Sequence, residues 1–235
     1  MAAKGLFFHF HIDGAYGSYF VSMIKEVQQG QINSLSPFVV KQLEQFRYSD
    51  SITFDPHKTG YVPYACGGVF YRNYQLRNNL TFSAPYIFTG FEPNVAIYGI
   101  EGSKPGAAVS AVYLSLEVMP LVRSGHGELL ERTMMNTKIF TASLYTMKNM
   151  TFNFTLDNGH KYNNMRFQCC VLPRTYVEKF NCPEEQQAQD AAYNRIAKTH
   201  VVNMSDLIKD PSVGKYYYEL GPDLNIVCYC VNFID

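Results

Sequence analysis

The 235-residue chain has no excess of either charge, since 20 Lys+Arg balance 20 Asp+Glu. No basic stripe is present, which argues against nucleic acid as its main ligand. None of its 6 cysteines (Cys66, Cys169, Cys170, Cys182, Cys228, Cys230) pair at C-x-x-C spacing. A disulfide framework is unusual in so long and apolar-rich a chain, so reduced thiols in the cytoplasm are expected. Long apolar runs are also missing. LFFHFHI near the start is about half a membrane span and is broken by two His, so neither anchor nor signal peptide is expected. The glycine-rich stretch Gly99–Gly106 lacks G-x-G-x-x-G, which speaks against a nicotinamide role. There is no internal repeat, heptad or low-complexity tract.

The chain is also short of charge, at 17%, yet holds 18 Tyr and 17 Phe. Part of its surface is therefore expected to be covered by a partner. With 47% hydrophobic residues it can bury a sizeable core, in one large domain or two small ones.

Strand and helix patterns alternate along the chain, giving an α/β class. Residues 6–12 read as a buried strand delivering Asp13 at its C-terminal end. Residues 36–47 open with Ser36 as N-cap and Pro37 at N1 of a helix. Short strands are expected at 50–55, ended by Pro56, and at 67–72. The segment 104–121 is apolar on most sides and is expected to be a buried helix. Further helices are expected at 127–147 and 184–199, and strands at 150–156, 166–173 and 224–233.

Several residue groups carry chemistry. Asp13, at a strand tip, needs a cation or donor to offset its desolvation, and Lys58 at another strand end is one candidate. Such a pair suits a structural salt bridge. It equally suits pyridoxal phosphate chemistry, in which a lysine bonds the cofactor aldehyde and an acid holds the ring nitrogen protonated. His9-x-His11 puts two rings on one strand face without a convincing third metal ligand. Cys228-x-Cys230 reads as two buried small hydrophobes, and Tyr216-Tyr217-Tyr218 as a core or interface patch.

The segments HIDGAYGSY, SITFDPHKTGYVPYACG and GIEGSKPGAAVSAVYLS tip this balance. In order and spacing they resemble the group II pyridoxal-phosphate-dependent amino-acid decarboxylases, above all the tyrosine decarboxylase branch. The pattern there is similar to H-x-D-A-A-Y-G-G, S-x-T-x-D-P-H-K-x-G-Y-x-P-Y and E-G-S-K-x-G-A. The strong resemblance covers residues 9–116, with only weak likeness beyond about residue 150.

The resemblance implies pyridoxal 5'-phosphate as cofactor, with Lys58 as the Schiff-base lysine. It implies that His57 contacts the cofactor phosphate with Asp55 close by, and that Asp13 pairs with the pyridine nitrogen. Ala15 packs flat against the ring, Tyr64 is a candidate proton donor to Cα, and Ser103 reaches a phosphate across a dimer interface. For Tyr64, packing in a Pro-Tyr turn is the competing reading. The implied reaction is decarboxylation of an L-amino acid, tyrosine first, with glutamate or aspartate as alternatives. Gly14 departs from the pattern's Ala, a change read as tolerated.

In the resembled enzymes, segments ahead of the lysine supply a phosphate-cradling loop and a residue stacked on the ring. The expectation is therefore an interior or C-terminal portion of a fold type I enzyme. Residues 1–125 would be the C-terminal part of the cofactor-binding large domain. Residues 126–235 would be a connecting helix and a partial small domain. A homodimer, or a complementing N-terminal half, is the expected partner. A non-catalytic binding or dimerisation module is the alternative.

Overall fold

The computed structural model describes residue 5 and residues 8–80, 104–147, 150–170 and 182–233. Ser103 and the loop 92–103 lie outside the described residues. The chain divides into two compact units. One comprises residues 1–27 and 41–127, the other residues 28–40 and 128–235.

The first unit is built on a three-stranded sheet in the order β1 (His11–Ile12), β2 (Ser51–Phe54), β3 (Gly68–Tyr71). β1 runs parallel to β2, with His11 opposite Ser51 and Ile12 opposite Ile52. β3 is antiparallel to β2, Phe54 pairing with Gly68. Parallel strands need a crossover, and here it includes a 3-10 helix, Ser18–Ile24, and the helix α1, Pro37–Glu44. Tyr19, Phe20, Ser22 and Met23 of the 3-10 helix are buried. α1 begins as its sequence dictates, with the Val39 amide donating to Ser36 Oγ at 3.3 Å and Pro37 at N1.

Two expectations for this unit change. Of the strand expected at 6–12, residues 6 and 7 lie outside the described residues; among the rest only His11–Ile12 form strand, and they are not buried. The segment 104–121 is a helix, α2 (Gly106–Val118), but among the described residues nothing buries it. Val109 is 69% exposed and Val118 80%. An apolar surface all round a helix states what it could bury, while burial depends on what packs there. One stripe does meet the sheet: Val112 and Leu116 line, with Tyr19, Ile52, Phe54 and Phe70, a cavity of about 400 Å³.

The second unit has a helical core and a separate sheet. α3 (His126–Thr146) contributes Met135, Ala142 and Tyr145. α4 (Pro183–Ala197) adds Ala192, Tyr193 and Ile196. α5 (Met204–Lys209) and α6 (Pro211–Glu219) complete the cluster with Met204, Ile208, Val213, Tyr216 and Tyr217. Tyr216 and Tyr217 are thus core residues, one of the two readings of that run. The buried Lys138 ammonium donates to the Leu220 and Pro222 carbonyls, fastening the chain after α6 back onto α3.

The second sheet has the order β4 (Phe152–Thr155), β5 (Lys161–Cys169), β6 (Tyr229–Phe233), antiparallel throughout. Cys228 is exposed and Cys230 half-buried, which corrects the buried pair expected from sequence. Among the described residues no helix is long and apolar enough to cross a membrane.

Candidate active site

Because β1 and β2 are parallel, their C-terminal ends open at the same edge of the sheet. Asp13 follows β1 and Asp55 follows β2, so two carboxylates meet where α/β sheets bind ligands. Gly14 lets the two strand ends approach. A Cβ there would fall 2.7 Å from the Thr53 carbonyl oxygen, so the glycine has a packing reason.

Asp13 is solvent-exposed and held by two donors. Thr53 Oγ1 donates to its Oδ1 at 2.8 Å and the Ala15 amide at 3.2 Å. The Thr53 hydroxyl first, then the Ala15 amide, with the Lys58 charge adding to them, keep its carboxyl below the usual range. Asp13 is therefore an ionised acceptor with lone pairs to spare.

The segment 55–62 forms a tight turn. The Lys58 amide donates to the Asp55 carbonyl at 2.9 Å and the Val62 amide to the Pro56 carbonyl at 3.0 Å. The buried Thr59 hydroxyl donates to the Tyr16 carbonyl at 2.8 Å, tying this turn to the loop after β1. Gly60 fits because a Cβ would lie 2.5 Å from the Tyr19 ring.

The turn presents Lys58 with its Nζ 2.8 Å from Asp55 Oδ2, the side chain about one-third exposed. Hydrogen bonding to Asp55 raises the Lys58 pKa, outweighing partial desolvation. The lysine's ion pair is therefore with Asp55 three residues earlier. Asp13, the partner weighed from sequence, acts on it through space.

His57 Nδ1 accepts from the Cys66 amide at 2.9 Å. In the neutral ring the proton then sits on Nε2, which faces Asp55 Oδ2 at 3.7 Å. Tyr64 stacks on this ring, with centroids 4.1 Å apart and planes 28° apart, while remaining 77% exposed. Gly67 closes the far side, since a Cβ there would meet Asp55 Oδ1 at 2.8 Å.

The structure thus gathers Asp55, His57, Lys58 and Tyr64 in direct contact, and brings Asp13 and Ala15 to the same edge. Thr53 and the Cys66 amide were not anticipated. Thr53 was findable, because alternation in SITF turns it away from the apolar Ile52 and Phe54. A backbone donor such as Cys66 N has no side-chain signature. The His9-x-His11 pair has another use. His9 Nε2 and His11 Nδ1 both lie 2.7 Å from the buried Ser51 hydroxyl, which can donate to one ring and accept from the other.

No family model matches the chain. Curated relatives do. An L-tyrosine decarboxylase of Enterococcus faecium is 28% identical over 215 residues, 81% of this chain and 35% of the relative. One from Levilactobacillus brevis is 30% identical over 148 residues, 54% of this chain and 24% of the relative. An L-aspartate/L-glutamate decarboxylase of Pyrococcus horikoshii is 29% identical over 139 residues, 59% of this chain and 33% of the relative. The chain spans about a third or less of the length of these proteins. The chain is thus similar to L-tyrosine and L-aspartate/L-glutamate decarboxylases over part of their length.

Proposed function

We propose that the chain is the lysine-bearing portion of a pyridoxal-phosphate-dependent L-amino-acid decarboxylase, with a fold type I cofactor domain in residues 1–125. Residues 126–235 would be the connecting helix and part of the small domain. Tyrosine is the preferred substrate, on the names of the relatives matched most extensively, and glutamate or aspartate the alternative. The observation that carries the reading is the meeting of Asp13 with the Asp55–His57–Lys58 turn at the C-terminal edge of the parallel pair β1 and β2.

The residues suit the cofactor's chemistry. An ionised, exposed carboxylate at Asp13 can hold the proton of the ring nitrogen, and its two donors fix its direction. Ala15, half-buried beside it, is small enough to let a flat ring lie against the loop. His57 offers Nε2–H as a donor to a phosphate, its other nitrogen being held by the Cys66 amide. Lys58 Nζ is the amine that bonds the cofactor aldehyde. The bound cofactor supplies an electron sink for the pair released with CO2.

The protein's part is to orient groups and handle protons. Lys58 must lose a proton before it acts as a nucleophile, and Asp55 Oδ2, which stabilises the ammonium, sets how readily that happens. Tyr64, aligned by its stack on His57, is the donor proposed to protonate Cα after CO2 leaves, with Lys58 as the alternative. Ser103 is retained as a proposed phosphate contact across a homodimer. The exposed apolar face of α2 supports a covering partner, either a second copy or the remainder of a longer enzyme.

The test is product formation. Purified chain supplied with pyridoxal phosphate and L-tyrosine, L-glutamate or L-aspartate should develop a visible absorbance band and release the amine. Tyramine should be favoured, and Lys58→Ala should abolish both signals. Absence of the band under all conditions would leave the binding-module reading in its place.

A further inference from the structure

A second chemical feature lies in the sheet of the other unit. The register of β5 with β6 pairs Cys169 with Tyr229 and Gln168 with Cys230. The ladder continues one step past the strand ends, where the Cys170 amide donates to the Cys228 carbonyl at 2.8 Å. Cys170 and Cys228 are therefore directly opposed across an antiparallel pair, with side chains on one face of the sheet. Both are exposed thiols.

The amide–carbonyl bond marks a hydrogen-bonded pair, whose Cα atoms lie about 5.5 Å apart. Bridged cysteines span about 4.4–6.8 Å between Cα atoms, so the pair is within reach, with the Cβ atoms needing to draw together by up to about 1 Å. The same geometry disfavours the nearest competitor. Cys230 is diagonal to Cys170, about 7–8 Å away. Along an extended chain, residues two apart lie about 6.6 Å apart with side chains parallel rather than convergent, which disfavours closing Cys228 onto Cys230.

We propose that Cys170 and Cys228 form a reversible cross-strand disulfide, made by thiol–disulfide exchange with a small-molecule disulfide of the glutathione class. One protein thiolate attacks the small disulfide, forming a mixed disulfide and releasing one small thiolate. The second protein thiolate attacks the protein sulfur of that mixed disulfide and releases the other. Two electrons pass from the protein to the small disulfide, and the two thiol protons end on the two small thiols. The bridge joins β6 to β5 and closes a loop of roughly 60 residues that carries α4, α5 and α6. Its exposure makes it accessible to reduction, as expected of a labile bridge.

The experiment uses the full chain in a Cys169→Ser background, so that the neighbouring thiol does not confuse peptide assignment. Equal amounts of 14N and 15N protein are mixed and equilibrated over a series of reduced and oxidised glutathione ratios. The mixtures are then acid-quenched, alkylated and mapped by mass spectrometry. The expected result is a Cys170–Cys228 linked peptide pair within one isotopic chain. It should titrate as a single two-electron transition, reverse with dithiothreitol, and raise the thermal unfolding midpoint. Cys228→Ser, checked by circular dichroism to keep the wild-type fold, should lose both the linked pair and the shift. The proposal is overturned if the two cysteines carry glutathione singly without linking, link between isotopic chains, or link to Cys230 or Cys182 to the same extent.

Discussion

Replacing Gly14 by alanine should be costly, although alanine is the residue of the decarboxylase pattern at that place. The added Cβ would lie 2.7 Å from the Thr53 carbonyl oxygen and 3.0 Å from Ile52 Cγ1. Ordinary contact is about 3.5 Å or more, so the strand end and β2 must separate by most of an ångström. Backbone shifts forced by one methyl group cost about 1–3 kcal/mol. With a urea dependence of about 2 kcal/mol per molar, the midpoint of unfolding should fall by roughly 1 M. The site reports the same movement. Thr53 Oγ1 is the first cause of the low Asp13 pKa, so parting the strands should let that carboxyl rise toward its ordinary value. Urea titration followed by fluorescence, with a carboxyl-selective NMR titration of Asp13, measures both effects. An unchanged midpoint together with an unchanged Asp13 titration would refute the close packing of Gly14 on Thr53.

The Asp55–Lys58 pair sets how readily the amine loses its proton. Asp55→Asn should lower the Lys58 pKa, so the pH profile of Lys58 acylation by a small amine reagent should move to lower pH; an unmoved profile contradicts the pairing. In the other unit, the Ser212 hydroxyl and amide, with Arg195, lower the Asp210 pKa from 3.8 to about 2 at the start of α6. A depressed folded-state pKa gives stability that is full above the unfolded value and lost as pH falls through the folded one. The unfolding midpoint of Asp210→Asn should thus lie below wild type at neutral pH, and the gap should close between pH 4 and pH 2; a gap constant with pH would contradict this.

The parts of the fold that were legible are those specified by local chemistry. Ser36-Pro37 announced α1, Pro56 ended β2, and long helical spacing located α3 and α4. The misjudged parts depend on distant partners. LFFHFHI has the composition of a long buried strand, but among the described residues strand pairing of β1 covers only His11 and Ile12. α2 has the composition of a buried helix and is not one among the described residues. β5 starts at Lys161, earlier than expected, because KYNN lacks the apolar alternation that marks a strand. α5 and α6 were missed because they are short and α6 carries Gly214 in its middle, although Asp210-Pro211 is a fair start signal. Gly214 itself is required, since a Cβ would meet the Ile208 carbonyl at 2.3 Å.

At the candidate site, the motif named Asp13, Asp55, His57, Lys58 and Tyr64 as the residues to consider, and all lie near the C-terminal edge of β1 and β2. It did not say which acid would hold the lysine. Both carboxylates sit at parallel strand ends, and the tight 55–62 turn gives Asp55 the shorter reach.

The claim at the centre is that Lys58 is the amine that takes up pyridoxal phosphate. Reduction with borohydride after adding the cofactor fixes it to whichever lysine holds it, and peptide mass mapping then reads the position without requiring turnover. The predicted result is a phosphopyridoxyl label concentrated on Lys58 and lost, not redistributed, in Lys58→Ala. Label spread evenly over lysines such as Lys41, Lys104 and Lys198, or persisting undiminished in Lys58→Ala, would contradict it.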